Sequence, residues 1–145
     1  MLYDVTVIDA DPIFAVSQAD LVIIPTQGSQ LDANEASRAI RVVPQSQKMT
    51  KTATPYAVLL TRTSPLIRKR GLAHIQNGLI EAGIPVLETE LNERDERDAF
   101  KAIFSFQQTL DGLSASDVPN LDKAKTNVDE FGREILAKLA GRAGR

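Results

Sequence analysis

The chain contains no cysteine. That excludes a disulfide framework, a thiolate metal site and a cysteine nucleophile. Its single histidine, His74, cannot build an ordinary zinc site without help. Aromatic residues make up only 5%, which leaves little for stacking the bases of a single strand. Apolar runs reach about five residues, far short of the roughly 20 that span a bilayer. No charged N-terminal segment leads into a long apolar stretch, so no signal peptide is expected. Charge of one sign is also lacking: the net value is -2, without the overall basicity of a nucleic-acid binder. A serine triad has no support, because no Gly-x-Ser-x-Gly elbow occurs. Nor does the phosphate-cradling run Gly-x-x-x-x-Gly-Lys-Ser/Thr. These absences predict a soluble cytoplasmic protein with no membrane partner.

What is present fits one domain. The 145 residues, 43% hydrophobic and 25% charged, can bury a real core. The expected domain covers residues 1–140, with 141–145 as a frayed tail. Short β-branched runs lie at 5–8 (Val-Thr-Val-Ile), 21–24 (Leu-Val-Ile-Ile, stopped by Pro25) and 56–61 (Tyr-Ala-Val-Leu-Leu-Thr). A weaker one lies at 84–88. Runs apolar on both faces suit a parallel sheet covered by helices on each side.

Helical patterns alternate with these runs. Asp32 and Glu35 have capping-box-like spacing, Ala36, Ile40 and Val43 follow on one face, and Pro44 is expected to end that segment. Ser64-Pro65 reads as an N-cap and first helical residue, Leu72, Ile75 and Leu79 as a buried face, and Gly83 as the residue past the helix end. Phe100, Ile103, Phe104 and Gln107 suggest another helix. Leu121, Ala124, Val128, Phe131, Ile135 and Leu139 form the clearest amphipathic stripe. Residues 111–120 read as a surface loop. The expected architecture is a three-layer α/β fold with a mostly parallel sheet of about four strands. The first crossover, Asp9 to Asp20, is short: about a dozen residues is the usual minimum.

Three groups of residues could carry chemistry. Asp9 stands at the end of the first run, where ligands of α/β sheets bind, although Asp-Ala-Asp-Pro (residues 9–12) is also good turn chemistry. Arg62, Arg68, Lys69, Arg70 and His74 form a basic cluster that could meet DNA phosphates or simply be a solvated helix face. Acidic residues at 88, 90, 93, 95, 96 and 98 could hold a hard cation, but they lack the pattern of a calcium loop. They suit the start of a helix equally well.

Two longer segments carry a resemblance. Tyr3-Asp4-x-x-x-Ile8-Asp9, followed by Ala19-Asp20-Leu21-Val22-Ile23-Ile24-Pro25-Thr26-Gln27, resembles the second half of ParA/MinD-type deviant Walker ATPases. There, a strand ending in an aspartate is followed by one ending in Ile-Pro-x-Gln. Tyr56-Ala57-Val58-Leu59-Leu60-Thr61-Arg62 is similar to the family's next core strand, and Leu121 to Leu139 to its closing helix. Leu31-Asp32-Ala33-Asn34-Glu35-Ala36 and Glu96-Arg97-Asp98-Ala99-Phe100 resemble the VirC-type branch, which acts in plasmid partition and DNA transfer during conjugation.

The resemblance implies a fold like that of P-loop nucleoside triphosphatases, but truncated. It implies that Asp9, with Asp11 beside it, lies near magnesium-bound nucleotide, and that Pro25 and Gln27 line the same site. Leu91-Asn92-Glu93 would fall near the base, without the family's proline. Asp9 would meet metal only through Mg-nucleotide. No cofactor is expected for the isolated chain; ATP and Mg2+ enter only if another chain completes the site. The implied partners are a second copy or a ParA-like chain, with non-specific DNA as a further candidate through Arg62, Arg68, Lys69 and Arg70.

Overall fold

The computed structural model describes residues 12–27, 30–51, 53–63, 70–114, 116 and 118–143. The run at 5–8, Asp9, Asp11 and the Ser64-Pro65 cap lie outside the described residues. The elements are α1 (Pro12–Gln18), β1 (Val22–Thr26), α2 (Gln30–Thr50), β2 (Tyr56–Thr63), α3 (Arg70–Glu81), β3 (Leu91–Asn92), α4 (Glu93–Phe106) and α5 (Leu121–Ala143). Among the described residues the sheet has three strands in the order β1-β2-β3, all parallel.

Strand β2 is the centre of the molecule. Val58 and Leu60 join Ile24, Ala36, Ile40, Leu72 and Leu79 on the face covered by α2 and α3. Ala57 and Leu59 point the other way, to Leu87, Phe131 and Ile135. That alternation, with both faces apolar, is why the strand reads as a continuous apolar run and why helices lie on each side. A satellite cluster joins Ala99 and Ala102 of α4 to Leu113, Val118, Leu121 and Ala124.

Helix ends follow local chemistry. Gly83 takes φ +70, donates to Ile80 O at 2.9 Å and is followed by Ile84 N donating to Leu79 O at 2.9 Å. This is a Schellman close on α3, at the position expected for glycine. The face Leu72, Ile75 and Leu79 is buried or packed as its spacing predicts.

Four expectations need correction. Pro44 does not stop α2, which continues to Thr50. The ring removes one backbone bond, but α1 packs on the following turns: the buried Ser46 hydroxyl donates to Ile13 O at 2.9 Å. Gln47 also donates to Thr54 O at 3.1 Å. The run at 84–88 does not form a full strand; it makes one bridge, Val58 to Val86, and the chain pairs regularly only at Leu91–Asn92. The amides of Glu88 and Thr89 turn instead to the Glu134 carboxylate. The helix suggested by Phe100, Ile103, Phe104 and Gln107 is α4, closed at Gln107; its buried residues are Ala99 and Ala102, while Phe104 is 78% exposed. The segment 111–120 is not only a surface loop, since Leu113 and Val118 are buried in it. Finally, α5 runs through Gly141 to Ala143, because one interior glycine, at about 1 kcal/mol, does not stop a helix already propagating.

Candidate functional site at the strand ends

Parallel strands place their carboxyl ends at one edge, and that edge is where α/β proteins bind ligands. Here β1 ends at Thr26, β2 at Thr63 and β3 at Asn92. The pairing between β2 and β3 slips between Thr61 and Thr63. The residue in the slip is Arg62, with φ +56. A bulge of this kind re-aims the side chain it carries, and the left-handed backbone costs a non-glycine residue about 1 kcal/mol.

The re-aimed guanidinium meets two residues from neighbouring elements. Its Nη2 and Nε donate to Glu93 Oε1 at 2.8 and 3.3 Å, and its Nη1 donates to Gln27 Oε1 at 3.3 Å. Both bonds to Glu93 fall on one oxygen, so this is not a two-oxygen fork. Arg62 is 59% exposed and Glu93 36%. An exposed pair of this kind contributes about 0.2–1 kcal/mol. It is too weak to shape the loop that carries it.

The segment before Glu93 is held by side chains. Asn92, at the N-cap of α4, makes no side-chain cap bond. Its Oδ1 accepts from the Thr63 hydroxyl at 3.1 Å, and its Nδ2 donates to Asn127 Oδ1 at 3.3 Å. The Asn127 Oδ1 also accepts Asn92 N–H at 3.2 Å, and Nδ2 donates to Glu90 O at 2.9 Å. Glu134 accepts the amides of Glu88 and Thr89, each at 2.9 Å. Burial would raise the Glu134 carboxyl. The Thr89 and Glu88 amides, the Thr89 hydroxyl and the Lys138 charge outweigh that and hold it below its ordinary value.

Beside Gln27, the Thr26 hydroxyl is buried and has no hydrogen-bond partner among the described residues. The Thr61 hydroxyl reaches Thr26 O at 3.4 Å.

The expected site residues divide as follows. Gln27 and Arg62 come together, and Glu93 joins them. Pro25 is exposed on β1, paired in register with Leu59. Asp9, Asp11, Arg68 and Lys69 lie outside the described residues, and Arg70 begins α3. His74 is exposed on α3. Among the described residues no group of three His, Cys, Asp or Glu could hold a metal ion. No described helix is long and apolar enough to cross a membrane.

Among the described residues at this edge the Arg62 guanidinium is paired with Glu93, and a carboxylate there repels phosphate. Carboxamide, guanidinium and carboxylate together offer donors and acceptors to a planar polar group or a protein surface.

Asn127 and Glu134 are not among the residues the sequence singles out by motif, though a signal for them exists. They lie three residues beyond Ala124 and Phe131 of the apolar stripe, so they share its inward side. A polar residue there needs a hydrogen-bond target.

The strand-end edge and the covering helices agree with the comparisons. The VirC1 protein family matches residues 11–137. The chain is also 32% identical over 125 residues to "Protein ParA" of Rhizobium radiobacter, an alignment covering 86% of this chain and 54% of that protein. The chain therefore spans about half the length of this curated relative. It belongs to the VirC1 family, within the ParA/MinD-like group of α/β proteins.

Proposed function

We propose that this chain acts in plasmid partition or DNA transfer as a protein-interaction module that does not hydrolyse ATP on its own. The observation that carries the second half of this reading is the closed cluster at the strand ends. Arg62 is satisfied by Glu93 and Gln27, which among the described residues at this edge leaves that cation compensated and not free for phosphate. The 145 residues also hold no Gly-x-x-x-x-Gly-Lys-Ser/Thr run. Family membership supports the first half.

The partner is a second copy or a ParA-like chain. Membership of the VirC1 family and likeness to a protein named ParA support this choice of partner.

Light scattering tests the partner, with a dimer expected and a clean monomer at high concentration counting against self-association. Titration with ATP, with and without Mg2+, tests the rest. No binding by the isolated chain is expected. Micromolar affinity would instead favour a nucleotide site in which Asp9 orders magnesium. DNA binding that falls steeply with salt and vanishes in Arg68→Ala/Lys69→Ala/Arg70→Ala would favour direct DNA contact.

A further inference from the structure

Two side chains of α5 make nearly all the described side-chain bonds to the backbone of residues 88–92. Asn127 and Glu134 are seven residues apart, two helical turns, and so project from the same side. Glu134 takes the amides of Glu88 and Thr89. Asn127 gives to Glu90 O and takes the amide of Asn92. Together they do what a further strand would do for an edge: they satisfy its donors and acceptors.

Asn127 has the wider reach. Its amide orientation is fixed by these partners, because a backbone carbonyl only accepts and a backbone N–H only donates. It is buried, 8% exposed. Through the Asn92 amide it sets the residue immediately before Glu93. Through the Asn92 side chain it reaches Thr63, the residue immediately after Arg62. Both halves of the Arg62–Glu93 pair are therefore referenced to one side chain of α5.

We propose that Asn127 is the positioning residue of the strand-end cluster, and that α5 controls whether Glu93 stays on Arg62. The exposed ion pair is too weak to organise the loop, so the dependence runs one way, from α5 to the cluster. A partner that shifts α5 would release Arg62. This deepens the reading of the strand-end edge as an interaction face and rests on it for biological meaning. The direction of dependence rests on the hydrogen bonds alone.

NMR tests it by amide exchange and by the protection of the Arg62 Nε–H. In Asn127→Ala the Asn92 amide should exchange roughly tenfold faster or more, and the Arg62 Nε–H should lose protection, while Val58 and Leu60 are unchanged. Asn127→Asp keeps the acceptor for the Asn92 amide and should retain the Arg62 signal. Arg62→Ala, an exposed change that leaves the core intact, should leave the Asn92 amide slow. Fast Asn92 exchange in Arg62→Ala would reverse the direction and overturn the proposal. So would an unchanged Arg62 signal in Asn127→Ala. These readouts stand whether or not the chain proves to be a dimer, so failure of the partner reading and failure of the positioning reading are separable.

Discussion

The two halves of the sheet are held by different means. Between β1 and β2 the ladder is regular over five consecutive pairs, Val22–Tyr56 to Thr26–Leu60. Apolar side chains pack it on both faces. Between β2 and β3 the ladder is a lone bridge, a register slip and a two-residue strand, and polar side chains of α5 replace the missing bonds. The regular half is a scaffold and the irregular half carries the re-aimed Arg62. Backbone ladders with apolar packing resist local change, whereas side-chain-held segments can be released one bond at a time.

The largest break in that contrast comes from the scaffold. Leu60 is fully buried, so Leu60→Ala should cost about 2–5 kcal/mol in denaturant unfolding. A loss under 1 kcal/mol would mean that the β1–β2 half is no better packed than the other. Next comes the pinned half. Asn127→Ala strips partners from two backbone groups and should cost about 1–3 kcal/mol, read as a shift in midpoint with unchanged slope. A loss as large as that of Leu60→Ala would erase the distinction.

These halves were not equally legible. β2 could be read from its run because it buries both faces, and β1 because a run of Val, Ile and Leu has few other uses. Gly83 could be read because a left-handed close on a helix calls for glycine. The stripe from Leu121 to Leu139 could be read because 3.6-residue periodicity survives 23 residues of α5. The irregular half could not be read so well. Nothing local marks Arg62 as left-handed, since its backbone is set by the β2–β3 slip. Glu88 and Thr89 look like the end of a strand until the distant Glu134 takes their amides. Pro44 reads as a stop until α1 packs on the turns beyond it. In each case a tertiary partner outweighed a local preference. At the site, Gln27 and Arg62 were visible, but the side chain that relates them to Glu93 was hidden in an apolar stripe.

Acid should separate the halves by a smaller amount. The Glu134 carboxyl is held below its ordinary value near 4.5, so the folded chain binds that proton less tightly than the unfolded one. Its stabilisation is therefore complete above the ordinary glutamate range and is lost as the pH falls through the lowered folded value. Because the carboxylate is largely solvated, the loss is modest. Amides 88 and 89 should begin to exchange faster below about pH 4.5, after correction for intrinsic rates, before those of β1 and β2 do. Glu134→Gln should flatten that dependence. Simultaneous loosening of both halves on acidification would show that the carboxylate does not hold the segment.

The smallest expected effect concerns the backbone of Arg62, and it bears most directly on why the irregular half exists. Arg62→Ala removes an exposed pair worth about 0.2–1 kcal/mol but keeps a left-handed backbone that a Cβ disfavours. Arg62→Gly removes the same pair and relieves that conformation, by about 1 kcal/mol. The glycine variant should therefore be more stable than the alanine variant and close to wild type, in contrast to the usual penalty for glycine in a strand. Equal stability of the two would mean that the slip between Thr61 and Thr63 stores no strain. A more stable glycine variant would place a side chain at φ +56 where glycine fits better. Arginine at that position is then accounted for by what its guanidinium does at the strand ends, because fold stability alone favours glycine there.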